Sequence, residues 1–295
     1  VSTISTLNTA NRTRKDPSER RKGPGINLLP NYFALGLLVI FALAPLLSIA
    51  FNAFKSSSEL GRNPLGIPQE FILTNFSKAW EVGGFSTSVG NTLILVTGTV
   101  LGILIMGGMA AYSLAKLHLP ASGLIMGYFL VGSALPIQLF LVPLFSLWRT
   151  LGWNNSLFGL IPIYWAVQSP FAIFLLRSYM VQIPSDFEDA ARVDGANTIG
   201  VFFRIIVPLS WPAFLTVGLV VALNVWNEFL LALIFLTKSE LFTVVTSYYN
   251  FSTRFSRDWS LTSAAAVMMT APILIIFLLL QRRFVAGLTQ GGLKG

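Results

Sequence analysis

Long apolar runs, five of the six without a charge, alternate with polar segments along this sequence. The runs cover residues 29–54, 91–115, 123–145, 157–176, 211–236 and 261–280. A helix rises about 1.5 Å per residue and a bilayer core is about 30 Å thick, so about 20 apolar residues cross it. Each run meets that length. The pattern predicts an all-α, polytopic membrane protein with six transmembrane helices. Pro45 and Pro272 would kink the first and last, and Pro136 and Pro143 lie within the third. Ser210 stands where it can cap the fifth. Gly98 and Gly102, followed by Gly107 and Gly108, would let a neighbouring helix come close to the second.

The polar segments divide the rest. Residues 1–28 are polar and basic and read as a tail. The first run is too long for a signal-peptide core, and no small-residue cleavage site stands out, so it is expected to be retained. Residues 56–87 read as an exterior loop with a short helix over 74–82, carrying Phe76, Ala79 and Trp80 on one side and ended by Gly83 and Gly84. That helix is either an interfacial anchor or part of a docking surface. Lys116 and His118 mark an interior turn closed by Pro120, and Arg177 ends the fourth span. Residues 237–260 form the last exterior loop, and Arg282 and Arg283 end the sixth span. The expected organisation is a tail over 1–28, a membrane domain over 29–282 and a tail over 283–295.

One polar segment, 184–208, differs from the others because its acids are clustered. Ser185 with Glu188 three residues on has the form of a capping box and predicts a helix start. Phe187, Ala190, Ala191 and Asp194 then fall on one helical face. Gly195 suits the left-handed position past a helix end. A second helix reads from about Ile199, with Phe202, Phe203 and Ile206 on the same face, Arg204 turned away and Pro208 as its stop. The expectation is a pair of short helices with an apolar inner face and an acidic outer one. On pattern alone, an amphipathic hairpin lying in the membrane interface fits equally well.

Composition agrees with a membrane protein: 54% of residues are hydrophobic and 11% charged, against about 25% charged in soluble domains. There is no Cys and only one His. No disulfide, Cys-ligated metal, Cys nucleophile or His cluster is therefore available, and no catalytic or metal-binding residue is assigned. No phosphate-cradling G-x4-G-K-[ST] loop occurs, so ATP, if used, binds another chain. The net charge of +8 reads as the positive-inside bias of a membrane protein, and no nucleic-acid partner is expected. With both ends inside, the interior holds six charges of the first tail plus Lys116, Arg177, Arg192, Arg204, Arg282, Arg283 and Lys294, which is 13 of the 20 Lys and Arg. The reverse orientation would invert that bias.

Polar side chains inside spans mark pathways or helix contacts. Here they are Gln138, Gln168, Asn224, Asn227 and Glu228, joined by Tyr164, Trp165 and Trp226. Amides and flat aromatic faces suit a sugar's hydroxyls and C–H faces. The amides could equally hold helices together. Asn224, Asn227 and Glu228 would form a stripe on one continuous helix, and Glu228 could serve the pathway, couple protons or pair with a cation.

The segment 184–208 resembles the E-A-A-x3-G-x9-I-x-L-P loop of ABC importer membrane subunits. Asp189, Ala190, Ala191, Gly195, Ile205, Val207 and Pro208 stand at its spacing, with Asp189 in place of Glu and Val207 in place of Leu. LGWNNSLFGLI over 151–161 and the tail after Gln281 are similar to the carbohydrate branch of that family. The resemblance implies a sugar-importer permease in the bacterial inner membrane, with N and C termini cytoplasmic. It implies a second, different permease chain, two ATPases holding ATP and Mg, and an extracytoplasmic sugar-binding protein. The loop would be the ATPase-coupling element, with Glu188, Asp189, Ala190, Ala191, Asp194, Gly195 and Pro208 as its residues. Gln138, Tyr164, Gln168, Asn224, Trp226, Asn227 and Glu228 would line the substrate pathway. The alternative is an ion-coupled secondary transporter, for which Glu228 is the one intramembrane acid available. A membrane-embedded hydrolase lacks the residues it would need.

Overall fold

The computed structural model describes residues 29–117 and 119–292. The expected tail 1–28, His118 and residues 293–295 lie outside the described residues. Regular structure among the described residues is helical throughout. Two compact units are distinguished, Val1–Leu46 and Leu47–Gly295.

Helix α1 (Leu29–Asn52) begins in the first unit and carries Pro45 inside it. It is apolar on all sides, with no acid in its first turn and no base in its last. Such a helix suits a lipid environment rather than water.

The second unit holds the remaining helices. At the start of the loop that follows α1, Ala53 to Pro64 wraps on the ammonium of Lys55. Its Nζ donates to Asn52 Oδ1 at 2.9 Å and to the carbonyls of Asn63 at 2.8 Å and Pro64 at 3.4 Å. Lys55 is fully buried. A short helix α2 (Ser57–Arg62), unseen in the sequence, follows. Helix α3 (Thr74–Val82) lies where it was expected. Ala79 is buried, while Trp80 is exposed and stacks on Phe85.

Helix α4 (Phe85–Lys116) is longer than the run that predicted it and contains a π turn at Ile103–Gly107. Helix α7 (Leu157–Met180) packs along it. The glycines permit this approach. A Cβ on Gly102 would stand 2.2 Å from the Trp165 ring, and one on Gly98 would stand 2.6 Å from Ile161. Trp165 Nε1 donates to the carbonyl of Gly98 at 3.1 Å.

The third run does not form one straight helix. It is α5 (Ser122–Ala134) and α6 (Ile137–Thr150), bent by 88°. The cause is Pro136, whose ring pushes the preceding residue out of the helical region. Leu135 accordingly has ψ 126°. The fifth run also breaks, into α10 (Trp211–Trp226) and α11 (Leu230–Phe235). Ser210 does not cap α10: its side chain makes no capping bond and its hydroxyl is buried without a partner.

The segment 237–260, expected as a loop, contains α12 (Val244–Arg254). Its N-terminus has a capping box built from Thr243 and Thr246. Helix α13 (Trp259–Gly292) does not end at Arg282 and Arg283, because its backbone stays helical to Gly292. By length and composition, four helices can each cross a membrane, and the bent pairs raise this to as many as six. One buried cluster joins α4, α7 and α10; a second joins α3, α12 and α13.

Candidate functional site

The clustered acids form a compact helical hairpin. Helix α8 (Asp186–Val193) is followed by Gly195 and then α9 (Thr198–Leu209). The expected capping box at Ser185 is not formed, since the Ser185 side chain makes no capping bond. Its presumed partner Glu188 is committed elsewhere. Gly195 has φ +84°. Its N–H donates to the carbonyl of Arg192 at 3.0 Å, and the N–H of Ala196 donates to that of Ala191 at 2.9 Å. That bond pair is a Schellman ending, which explains a glycine here without appeal to function. Asn197 caps α9 by accepting from the N–H of Gly200 at 2.7 Å.

Pro208 is not the stop that the sequence suggested. A π turn at Phe202–Ile206 precedes it, and α9 continues to Leu209 before an 82° bend into α10. In the turn that opens after the π segment, a missing proline N–H leaves little unsatisfied.

The faces of α8 are reversed relative to expectation. Glu188 is 3% exposed, whereas Phe187 is 50% and Val193 87% exposed. Ala190 and Asp194 are exposed, and Ala191 alone of the predicted inner face packs toward the core. On α9, Phe202 and Ile206 are buried while Ile199 and Phe203 face out. An amphipathic pattern over eight residues cannot tell an inner surface from an outer one meant for another protein. The buried carboxylate is what fixes the direction. Glu188 Oε2 accepts from the Tyr112 hydroxyl at 2.9 Å. Lys116 Nζ lies 3.6 Å from Oε1 and Arg192 3.6 Å from Oε2. Lys116 also donates to the carbonyl of Ile183. Asp189 keeps 69% of its side chain exposed and meets only Arg192, at 3.8 Å.

The polar residues of the spans do not form one stripe. Helix α10 ends at Trp226, so Asn224, Asn227 and Glu228 are not on a continuous helix. Glu228 sits in the break. Its carboxylate accepts from the N–H of Leu231 at 2.7 Å and of Ala232 at 3.0 Å, and from the buried Tyr164 hydroxyl at 2.8 Å. Asn227 Nδ2 donates to the carbonyl of Leu223 at 2.8 Å. Trp226 is buried and donates to the carbonyl of Met269 at 3.2 Å, a packing role against α13 instead of a pathway one. Asn224 Nδ2 donates to Gln168 Oε1 at 3.1 Å. Asn224 is exposed and Gln168 half-buried, so this amide pair keeps free polar atoms. Gln138 lies exposed on the first turn of α6.

Sequence reasoning missed Asn155. It has φ 54°, and its Oδ1 accepts from the N–H and hydroxyl of Thr237 at 2.7 and 2.9 Å and from the N–H of Lys238 at 3.3 Å. It ties the 151–161 turn to the segment just after the C-terminal end of α11. Asn-Asn ahead of a helix-capping Ser was the available signal.

A family model described as "Binding-protein-dependent transport system inner membrane component" matches residues 98–290, which contain the hairpin and both broken spans. The chain belongs to that family. It is an ABC transporter permease, a multi-pass protein of the inner membrane. It is 36% identical over 259 residues to the probable ABC transporter permease protein YurM of Bacillus subtilis, covering 88% of this chain and 86% of that one. To the sulfoquinovosyl glycerol transport system permease protein SmoH of Agrobacterium fabrum it is 35% identical, covering 90% and 93%. To the trehalose transport system permease protein SugB of Mycobacterium tuberculosis it is 33% identical, covering 88% and 95%. The fold matches a chain of a bacterial ABC transporter that imports the acidic polysaccharide alginate. The TM-score is 0.73 at 24% identity, covering 87% of this permease and 95% of that chain.

Proposed function

We propose that this permease carries a sugar into the cell as half of a translocation pathway, and that a separate ATPase drives it through the 184–208 hairpin. The observation that carries the reading is the outward face of the hairpin. Phe187, Val193, Ile199 and Phe203 stand exposed beside Ala190 and Asp189. Apolar side chains around a small residue, with an exposed carboxylate at hand, make a surface suited to a protein partner. The sugar is supported by relatives named for trehalose, arabinooligosaccharides, diacetylchitobiose and sulfoquinovosyl glycerol. It is also supported by the open Gln168–Asn224 amide pair, which offers unused donors and acceptors for hydroxyls.

The reading includes a second, different permease chain, two ATPases holding ATP and Mg, and an extracytoplasmic sugar-binding protein. Both termini would be cytoplasmic. The ion-coupled alternative has nothing in its favour here: Glu228, its one candidate, is engaged in holding the broken fifth span.

The experiment is purification of the whole assembly with Phe187→Glu or Gly195→Leu in this chain. Neither site is enclosed, since a Cβ on Gly195 meets nothing within 4 Å. The strain of a left-handed non-glycine is about 1–2 kcal/mol, too little to unfold the bundle. Both variants should insert normally and lose the ATPase. Full ATPase recovery with both would defeat the docking reading.

A further inference from the structure

Glu188 presents a question that docking does not answer. A carboxylate inside a protein is costly, and an apolar residue of similar size is often at least as stabilising. Yet Glu188 sits buried on the inner side of the hairpin, away from the surface proposed to meet the ATPase. Its partners are one hydrogen-bond donor and two cations at ion-pair distance, and they come from different elements. Tyr112 and Lys116 project from the last turns of α4, one helical turn apart, and Arg192 comes from α8 itself. Lys116 reaches further, to the carbonyl of Ile183 in the link between α7 and α8. Nearby, Arg177 Nε of α7 donates to the carbonyl of Leu114 at 3.2 Å. The inner end of α4 is thus bonded on one side to α7 and on the other to α8. Helix α8 packs its backbone mainly on α9, so Glu188 is its principal polar tie to the membrane bundle.

We propose that Glu188 is a positioning residue that fastens the hairpin to the inner end of α4, so that a displacement of α8 is handed directly to that span. The proposal rests on the reading that the hairpin docks an ATPase. Tyr112 sets the height of α8 along α4 through one short hydrogen bond. Lys116 and Arg192 flank the carboxylate and hold its charge. That one directional bond, backed by the Lys116 ion pair from the same helix, specifies position better than an apolar contact, which permits sliding. Push or pull on the outer face of α8 would then move Gly108–Lys116 as one body with it. From there motion passes to α7, which α4 packs along.

The test uses the complete assembly, with spin labels on single cysteines at Met109 of α4 and Asp186 of α8. Both positions are exposed, and the native chain has no Cys. The label-to-label distance is measured without nucleotide and after trapping with ATP and vanadate, and ATPase recovery is measured on the same samples. The native pair should give one narrow distance that trapping leaves unchanged. Glu188→Ala and Tyr112→Phe should retain the ATPase, but their distance should widen and shift on trapping. Glu188→Gln, which can still accept from Tyr112, should fall between. A native distance that itself changes on trapping, or variants that keep the native distance in both states, would overturn the proposal. Loss of the ATPase from Glu188→Ala and Tyr112→Phe alike would assign Glu188 to docking and overturn it too. Failure of the docking reading shows separately, as full ATPase recovery with Phe187→Glu.

Discussion

The Tyr164 hydroxyl donates to Glu228 Oε2 at 2.8 Å, joining the N-terminal third of α7 to the break in the fifth span. The same carboxylate accepts from two backbone N–H groups at the start of α11. A broken helix in a membrane exposes N–H groups that lipid cannot satisfy. Glu228 satisfies two of them, and Tyr164 holds the carboxylate in place. The one acid within the spans is thereby a helix cap fixed from a neighbouring helix.

Glu228→Gln tests that role. Glutamine has one acceptor oxygen where glutamate has two, so at least one N–H bond is lost. The expected cost is about 1–2 kcal/mol, that of a lost cap or hydrogen bond. Thermal unfolding in detergent should show a modest fall in Tm. Sugar uptake should persist, and should survive collapse of the proton gradient while ATP is maintained. Uptake that stops with the gradient would restore proton coupling to consideration.

The contact between α4 and α7 yields a second prediction. Gly102→Val would force the Trp165 ring aside and strain its bond to Gly98. Overpacking of this kind costs about 1–3 kcal/mol. Gly127→Ala on α5 is the control, because a Cβ there meets nothing within 4 Å. Membrane levels and Tm should fall for the first variant and hold for the second.

How much of this could be read beforehand depended on the kind of signal. Hydrophobic length located the membrane segments, and glycine spacing anticipated that a neighbouring helix comes close to α4, though not that Ile161 and Trp165 make the contact. It could not show breaks, because a window of apolar residues looks alike whether helical or bent. Pro136 was visible, but its effect on Leu135 needs a backbone. The hairpin was found through its acids and Gly195, yet its orientation was missed. Sequence cannot say that Glu188 has Tyr112 and Lys116 waiting 76 and 72 residues earlier. The helix α12 escaped because its apolar positions Val244 and Phe251 sit among polar ones and it lies outside any long run. Trp226 was assigned to a pathway by residue type alone, and packing against Met269 corrects that.

Asn155 separates backbone conformation from side-chain bonding. Asn155→Gly suits φ 54° but removes the three accepted bonds, whereas Asn155→Asp keeps an acceptor. Loss of these exposed bonds should cost about 0.5–1.5 kcal/mol. The Tm order should run native, then Asp, then Gly, with Ala lowest because it adds strain. Equal Tm for Asp and Ala would mean that the bonds to Thr237 and Lys238 contribute nothing.

Orientation is open to direct labelling. Cysteines at Ser58 of α2 and Ser256 after α12, both exposed, should react in intact cells with an impermeant thiol reagent. A cysteine at Asn197 in the hairpin should react only after the membrane is opened. Labelling at Asn197 in sealed cells would invert the assigned topology.

The outward face of the hairpin as the ATPase contact is tested most directly by protection. Single cysteines at Ala190 and Val193 are labelled with a thiol reagent in the purified permease alone and in the complete assembly, with Ser58→Cys as the reference. The account predicts rapid labelling of both hairpin positions in the isolated permease and strong protection once the ATPase is bound, while Ser58→Cys labels equally in the two. Equal labelling of Ala190→Cys and Val193→Cys with and without the ATPase would contradict it.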